Sequence, residues 1–308
     1  MKKFTVDIII PTFRPGEKFN KLMQMIQEQT YPIERILIMN TEASGLLGNV
    51  YENLPRVEIY HLTQEEFDHG GTRDRAAMMS DAELMLFMTQ DAVPADEFLV
   101  ERLSEAFHRP EVEAAYARQL PDERCNTIER FTRNFNYPNE SSIKSKSDLH
   151  IYGIKTFFCS NVCAMYRKAA YEKLGGFEKQ TIFNEDMIFA GNLIRHGGSI
   201  AYIAEAKVIH SHNYGFIKQL QRNFDLAVSQ ADHPEIFSMA KSEGEGIRLV
   251  MKTGKCLLEA GKPWLIPKLV VESGFKFLGY LLGKHYKRLP KWLIMKLTMS
   301  KAYWKSRR

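Results

Sequence analysis

Long uncharged apolar runs and paired cysteines are missing from this chain of 308 residues. No stretch of about 18 uncharged apolar residues occurs, which argues against a membrane-spanning helix. The first residues lead almost directly into a strand pattern, without the apolar core and cleavage site of a signal peptide, so no such peptide is expected. The four cysteines form no C-x-x-C pair. This argues against structural zinc and a disulfide framework, and it favours buried thiols in a reducing compartment.

Positive charge is concentrated at one end. From Lys262 to Arg308 there are twelve Lys and Arg residues and one acidic residue, Glu272, whereas the rest of the chain is mildly acidic. Aromatic and leucine side chains are interleaved with these cations. Two interpretations stay open: a solvated basic face packed on the body, and adsorption to an anionic membrane surface. Nucleic acid is not an expected partner, because no reading helix or stacking sheet is evident.

Strand and helix patterns alternate in the first half. Strands are predicted over 6–10, 36–39, 57–60 and 83–90, and helices over 18–29, 72–82 and 99–107. Repeated β-α-β units predict an α/β fold with a mostly parallel sheet flanked by helices. Ligands on such sheets bind outside the carboxyl ends of the strands.

The remaining segments lack this alternation. Residues 126–150 are polar and poor in aliphatic side chains, so a mobile loop that closes over substrate is predicted there. After Gly215 helical patterns dominate. We therefore predict a nucleotide-binding and catalytic domain over 1–215 and a helical region over 216–308, with its basic segment starting near 262.

A carboxylate and two imidazoles follow predicted strands. Asp91 closes the apolar run that begins at Glu83, and His210 and His212 follow the strand-like residues 206–209. One carboxylate and one imidazole can hold Mg²⁺ or Mn²⁺. One of the two histidines is expected to reach the metal, and His210 is favoured. An aspartate at a strand end is also a common turn residue, and a single histidine is often an ordinary core or surface residue.

Two adjacent acids, Glu185 and Asp186, open a helical pattern. Acids in a first turn stabilise the helix dipole, which is a sufficient structural explanation. As a general base, Asp186 would experience opposing effects: the helix N-terminus lowers its pKa, whereas Glu185 and partial burial raise it.

Two loops have the composition of ligand-binding segments. The loop 11–14 follows the first strand, and Phe13 offers a packing face for a nucleoside base; an ordinary proline-bounded loop is the alternative. The segment 68–73 contains Gly70 and Gly71 before a helix, where backbone N–H groups can approach an anion. Arg73 could grip phosphate oxygens. An ordinary glycine turn with a solvated arginine stays open.

Together these motifs resemble the inverting GT-A glycosyltransferases of family 2, and more narrowly the bacterial rhamnosyltransferases. The stretches that carry the resemblance are 8–13, 67–73, 89–92, 160–161, 175–177, 184–186 and 210–214. The resemblance covers residues 4 to 230. Carried over by position, the resemblance implies that the nucleoside is bound by Pro11, Thr12, Phe13, Arg14 and Asn40, and that the donor diphosphate or sugar is contacted by His69, Gly70, Gly71, Arg73, Gln90 and Asp91. It implies that the metal is bound by Asp91 and His210, with His212 as the alternative to His210. It also implies that the acceptor is deprotonated by Asp186, beside Glu185.

This resemblance implies a single in-line displacement with Mn²⁺ or Mg²⁺. The donor would be dTDP-β-L-rhamnose, the product an α-rhamnoside, and the acceptor a lipid-linked saccharide at the cytoplasmic face of the plasma membrane. The chain departs from the family pattern at Gln90, where a full Asp-x-Asp has an acid, and at Asn40, where many members carry an acid. Alternative hypotheses are another donor, such as UDP-N-acetylglucosamine or UDP-galactose, and a catalytically silent membrane-associated binding module.

Overall fold

A computed structural model describes residues 3–43, 51–240 and 243–306. It divides the chain into two compact units. The first unit comprises Met1–Leu120, Tyr137–Lys179 and Glu185–His210, and the second comprises Pro121–Asn136, Gln180–Asn184 and Ser211–Arg308. The sequence-based division at residue 215 stays a prediction.

The regular elements alternate in the first unit and are helical in the second. The strands are β1 (Val6–Phe13), β2 (Arg35–Thr41), β3 (Val57–Leu62), β4 (Leu84–Met88), β5 (Val93–Pro94), β6 (Val112–Leu120), β7 (Ser142–Lys144), β8 (Cys163–Arg167) and β9 (Ser199–Ile209). The α-helices are α1 (Glu17–Gln27), α2 (His69–Met79), α3 (Leu99–Glu105), α4 (Thr127–Asn136), α5 (Leu149–Tyr152), α6 (Lys168–Lys173), α7 (Glu185–Arg195), α8 (Phe216–Asp232), α9 (Pro234–Phe237), α10 (Glu243–Glu259), α11 (Ile266–Lys284), α12 (Lys291–Leu297) and α13 (Lys301–Ser306). Short 3-10 helices span Ala106–His108, Lys146–Asp148, Gly153–Phe157, Pro263–Leu265 and Tyr286–Arg288.

One mixed sheet organises the first unit. Its strand order is β3-β2-β1-β4-β8-β6-β9-β5, and β7 also pairs with β9. Strands β1 to β4, β6 and β9 share one direction, because β8 is antiparallel to both β4 and β6 while β9 is parallel to β6. The carboxyl ends of these strands and the start of β8 therefore lie at the same rim of the sheet.

Buried β-branched and aliphatic residues explain the central strands. In β1, Val6 and the run from Ile8 to Ile10 are fully buried, and all five residues of β4 are buried. A strand covered on both faces needs apolar side chains at successive positions, which explains the continuous rather than alternating pattern. This core fixes the sheet and thereby the positions of the loops at its rim.

Most elements predicted for the first half are confirmed, with shifted ends. Helix α2 begins at His69 rather than Thr72, so the two glycines lie inside its first turn. The mobile loop predicted over residues 126–150 is wrong, because this segment contains α4, β7 and a 3-10 helix. Few apolar side chains are enough in α4, which belongs to the second unit, since Ile128 packs in a cluster with Leu257 and Leu269 of the same unit.

Close helix packing characterises the second unit. A Cβ atom at Gly279 or Gly283 of α11 would collide with the backbone carbonyls of Leu220 and Phe224 of α8. Phe224 also belongs to a core cluster that includes Trp304 near the end of the chain. The predicted helical C-terminal region is thus confirmed, and its last helices form part of the core. Within the described ranges, every helix is too short or too polar to cross a bilayer.

Candidate active site

Four strands bring polar residues to one rim of the sheet. Asp91 follows β4, Gln119 lies at the end of β6, and His210 follows β9. Asn161 precedes β8, whose first residue pairs with the last residue of β4. The shared strand direction places these four side chains at the rim where ligands bind in sheets of this type.

The first feature of the rim is a histidine–carboxylate pair. His210 Nε2 lies 3.6 Å from Asp91 Oδ1, and the imidazole is buried. On the other side of the ring, His210 Nδ1 lies 3.0 Å from Gln119 Oε1. Gln119 Nε2 donates to Ser160 Oγ, so Gln119 Oε1 is the acceptor and His210 Nδ1–H the donor. When the imidazole is neutral, this tautomer directs the lone pair of Nε2 toward Asp91.

The donor chemistry of this pair fits a divalent cation. A carboxylate oxygen and a neutral imidazole nitrogen that face each other both offer electron pairs, and a cation between them would compensate their repulsion. Their 3.6 Å separation suits two ligands of one ion, since ligand distances are about 2.0–2.2 Å for Mg²⁺-sized ions. A second partner that fixes the histidine ring, as Gln119 does, is typical of metal-binding histidines.

His212 falls in the second unit, and its ring stacks on Tyr214 with a centroid distance of 5.0 Å. Its role as a metal ligand stays a prediction.

The second feature is the pair of acids in the first turn of α7. Asp186 Oδ2 accepts from the backbone N–H of Asn161 at 3.1 Å, and Asp186 Oδ1 accepts from the N–H of Met187 at 2.7 Å. Glu185 Oε1 lies 3.3 Å from Arg73 Nη1 and accepts from the side-chain amide of Asn161 at 3.3 Å. One asparagine therefore holds both carboxylates.

Unequal surroundings separate the two acids electrostatically. Loss of hydration, followed by the charge of Glu185, raises the pKa of Asp186 to about 7. Burial alone would raise the pKa of Glu185 as well, but the charges of Arg73 and His69 and the Asn161 amide outweigh it and lower that pKa. Glu185 thus stays ionised while Asp186 exchanges a proton near neutral pH, which is the range in which a general base works best.

Residues 160–162 connect the two features. Ser160 accepts from Gln119, which holds His210, and Asn161 holds the acids of α7. The carbonyl of Val162 accepts from the N–H of Thr89, two residues before Asp91. The histidine–carboxylate pair and the acids of α7 are therefore both hydrogen-bonded, directly or through one neighbour, to the same three consecutive residues.

Sequence reasoning missed the roles of Gln119 and Asn161. Asn161 receives a further bond from Tyr166 Oη at 2.8 Å, which fixes the orientation of its amide. For Gln119 a signal exists, because an amide in a buried strand needs hydrogen-bond partners. For Asn161 the spacing offers no signal, since its partners lie 24 and 25 residues further along the chain.

The residues predicted for the nucleoside site lie at the ends of β1 and β2, beside Gln90, which follows β4. Phe13 is 42% exposed, and its backbone N–H and carbonyl both bond the side-chain amide of Gln90. Asn40 is fully buried and accepts from Thr12 Oγ1 at 2.9 Å. Phe13 is thus an exposed residue that the half-buried Gln90 holds in place, and Thr12 and Asn40 are buried beneath it. Nucleoside contact by these residues, and by Pro11 and Arg14, stays a prediction.

The glycine segment is more constrained than its sequence indicates. The N–H of Gly71 donates to the Asp68 carboxylate at 2.6 Å, and a Cβ at Gly70 would collide with the carbonyl of Glu178. Arg73 is buried, and it donates to the carbonyl of His69 besides pairing with Glu185. Packing alone therefore requires Gly70, and Arg73 has a partner within the protein. Contact of this segment with a donor stays a prediction.

Arg73→Gln is expected to shift the pH dependence of catalysis. Loss of the guanidinium raises the pKa of Glu185 and Asp186, because its positive charge favours both carboxylates in their ionised form. The acidic limb of kcat/KM should move to higher pH, with a several-fold lower rate at pH 7. The matched control is Arg75→Gln, which removes an exposed arginine from the same helix. An unchanged pH profile with a raised donor KM would instead favour direct contact between Arg73 and the donor.

Sequence comparison identifies long, full-length similarities. A family model described as glycosyl transferase family 2 matches residues 7–175. The O-antigen chain rhamnosyltransferase RfbN of Salmonella typhimurium (strain LT2) is 37% identical over 301 residues, which cover 97% of this chain and 96% of RfbN. The O-antigen chain rhamnosyltransferase WbaN of Salmonella anatum is 38% identical over 307 residues, which cover 99% of this chain and 96% of WbaN.

Solved structures share the architecture at low identity. The S. aureus TarS fragment 1–349 in complex with UDP-GlcNAc gives a TM-score of 0.53 at 12% identity and covers 92% of this chain and 91% of its own. The mannosyltransferase PcManGT from Pyrobaculum calidifontis, in complex with GDP-Man and Mn²⁺, gives a TM-score of 0.59 at 13% identity. The match covers 99% of this chain and 86% of PcManGT. At such identities the likeness shows the fold, and the predicted GT-A class is confirmed.

Proposed function

This chain belongs to glycosyl transferase family 2, and from that premise we propose that it transfers L-rhamnose from dTDP-β-L-rhamnose to a hydroxyl of a lipid-linked saccharide in surface-polysaccharide synthesis. Glycosyl transfer follows from the family, and two relatives named O-antigen chain rhamnosyltransferases support the choice of sugar. One observation carries the proposal: the histidine–carboxylate pair of His210 and Asp91 is connected through residues 160–162 to Asp186, a carboxylate whose pKa is raised to about 7 by burial and the charge of Glu185.

Asp186 is the residue that accepts the proton of the acceptor hydroxyl. Its oxygens are held by the N–H groups of Asn161 and Met187, so the carboxylate has a fixed direction before the acceptor arrives. Glu185 remains ionised beside Arg73, and its charge makes Asp186 more basic. This increases the tendency of Asp186 to take a proton as the acceptor oxygen bonds to the sugar.

Asp91 and His210 would hold Mn²⁺ or Mg²⁺. When bound, such an ion supplies positive charge that stabilises the departing nucleoside diphosphate. Gln119 holds the imidazole in the tautomer and orientation that this role requires. The exposed ring of Phe13, with the Arg14 guanidinium 5.1 Å from its centroid, offers a flat surface against which a thymine base can pack.

We further propose that the protein acts at the cytoplasmic face of the plasma membrane. A lipid-linked acceptor keeps its reacting hydroxyl close to the bilayer surface. The basic segment from Lys262 onward provides cations for an anionic surface, at about 1 kcal/mol per juxtamembrane cation. Peripheral attachment is consistent with the described helices, none of which meets the requirements of a membrane span.

Donor choice can be tested by thermal unfolding with Mn²⁺ and a panel of nucleotide sugars. A ligand that binds the folded protein raises Tm in proportion to the logarithm of its concentration relative to Kd. We expect dTDP-L-rhamnose to raise Tm more than UDP-N-acetylglucosamine or UDP-galactose, and to release dTDP when a rhamnose-terminated lipid-linked acceptor is added. Preferential stabilisation by a UDP-sugar would overturn the donor assignment. No nucleotide release with any donor would favour a catalytically silent binding module.

A further inference from the structure

Helix α11 has two faces of opposite accessibility. Leu269, Glu272, Gly279 and Gly283 are buried, and the two glycines lie against the backbone of α8. Larger side chains at these glycines would separate the helices, so the face that α11 turns toward α8 is fixed by close backbone packing. The opposite face of α11 is therefore directed to solvent.

This outward face of α11 is apolar. Val270, Phe277 and Leu281 are 59%, 64% and 44% exposed, and their spacing of seven and four residues aligns them along one side of the helix. Val271 and Leu278 are also exposed and lie beside them. A water-facing helix normally carries polar residues on such a face, and a contiguous apolar face of this kind marks an interaction surface.

The neighbouring helix α10 repeats the pattern. Ile247, Met251 and Leu258 are each more than half exposed, and their spacing of four and seven residues again places them on one side. Between α10 and α11, Trp264 is 69% exposed in the 3-10 helix that connects them. We call these nine side chains the outer surface of the second unit: Ile247, Met251, Leu258, Trp264, Val270, Val271, Phe277, Leu278 and Leu281.

Cations accompany this surface. Helix α11 carries Lys268 and Lys284 at the margins of this face, and its one acid, Glu272, is buried on the opposite face. The whole segment from Lys262 has a large excess of positive charge. Two copies of a surface with this charge repel one another, whereas an anionic bilayer attracts it. Apolar side chains with a tryptophan and flanking lysines have the composition of a helix that lies in a membrane interface.

We propose that the outer surface inserts into the headgroup–acyl boundary of an anionic bilayer. The charge of the basic segment brings the protein to the membrane, and the apolar side chains then hold it there. The benefit to catalysis rests on the proposed transfer to a lipid-linked acceptor, whereas the insertion is measurable without any sugar. Contact by apolar insertion persists at salt concentrations that screen contact by charge alone.

Truncation is not a suitable test, because Trp304 and Ile294 belong to the core of the second unit. The variant of choice is the full-length double substitution Phe277→Ser with Leu281→Ser, which changes exposed side chains only. Cosedimentation would use vesicles of phosphatidylcholine with about one-third phosphatidylglycerol, an anionic content that attracts basic segments. We expect the double variant to bind about 100-fold more weakly than wild type. Wild type should retain part of its binding at high salt.

Matched controls separate insertion from general effects. Met78→Ser with Ile151→Ser removes two apolar side chains of the first unit that are 54% and 58% exposed, and this variant should bind vesicles as wild type does. Neutralising Lys268 and Lys284 to glutamine should weaken binding at low salt and leave the binding that persists at high salt. Equal thermal unfolding of all variants confirms that their folds are intact.

Three outcomes would overturn the proposal. These are wild-type vesicle binding by the Phe277/Leu281 variant, complete loss of wild-type binding at high salt, and a lipid-free dimer that dissociates in this variant. The last would assign the outer surface to a second copy of the chain. Transfer to a water-soluble acceptor is measured in parallel without vesicles. Failure of transfer with intact vesicle binding rejects the proposed function alone, and normal transfer without vesicle binding rejects the insertion alone.

Discussion

Replacing Asp186 with asparagine is expected to lower kcat by about 100- to 10,000-fold, the range in which a positioned general base contributes. Asparagine keeps the shape of the side chain, but its single acceptor oxygen keeps only one of the two N–H bonds from Asn161 and Met187, and the side chain cannot take a proton. Donor Kd should stay near its wild-type value, because the substitution affects the acceptor side of the reaction. The measurement is single-turnover transfer together with donor binding by calorimetry.

The pH dependence gives this prediction a second readout. In wild type, kcat/KM should rise as pH increases through about 7, because only ionised Asp186 accepts the proton. The variant's residual activity should lack this limb. Properly folded Asp186→Asn protein with wild-type kcat would remove Asp186 from the mechanism.

Protein stability should change in the opposite direction to activity. A carboxyl group with a raised pKa contributes stability at low pH, and that stability is lost as pH rises through about 7. Asparagine stays uncharged throughout. At pH 8 we therefore expect Asp186→Asn to be as stable as wild type or more stable, by on the order of 1 kcal/mol. A lower Tm for the variant at this pH would indicate that its loss of activity reflects damage to the fold.

Asp91→Asn is the second substitution expected to lower activity strongly, because it weakens metal binding. Removing the carboxylate charge takes away the stronger of the two ligands that face each other at the rim, with His210 remaining. We expect Mn²⁺ affinity to fall by at least tenfold and kcat/KM by about two to three orders of magnitude, since a bound metal contributes several kcal/mol to stabilising transition-state charge. Mn²⁺ binding in the presence of dTDP, followed by electron paramagnetic resonance, measures the affinity without turnover.

A charge-matched control accompanies this variant. Asp81→Asn removes a carboxylate whose side chain is 99% exposed, and it should leave Mn²⁺ binding unchanged. Excess Mn²⁺ should restore part of the activity of Asp91→Asn, because the ligand set is weakened rather than abolished. Wild-type Mn²⁺ affinity in Asp91→Asn would place the cation elsewhere, and the interpretation of the Asp91–His210 pair would then be wrong.

Local sequence patterns were sufficient to predict the fold class. The β-branched run at Ile8–Ile10 and the apolar run before Asp91 correspond to β1 and β4, because a strand buried on both faces has few other acceptable compositions. Asp91 and the histidines were recognisable as candidates because they follow such runs. The prediction for 126–150 was wrong because no such run is present there: helix α4 buries few side chains, and those contact residues more than 100 positions away.

Strand alternation could not have chosen between His210 and His212. Residues two apart on a strand face the same side, and β9 ends at Ile209, so both histidines lie beyond the regular strand. His210 reaches Asp91 because its backbone N–H bonds the carbonyl of Leu120 and its ring bonds Gln119, both on β6. These partners are about 90 residues away in the chain. Pairing between side chains that far apart produces no periodic pattern in the sequence.

The amino-acid order thus established which residues could perform the chemistry and on what kind of sheet they would lie, because propensity and hydrophobic periodicity act over short distances. The difference in pKa between Glu185 and Asp186 arises only in the folded protein. Their sequence environments are almost identical, yet Arg73 keeps one acid ionised while dehydration and its neighbour's charge raise the pKa of the other. Charge interactions of this kind depend on distance and burial, and both are fixed by packing between segments that are remote in sequence.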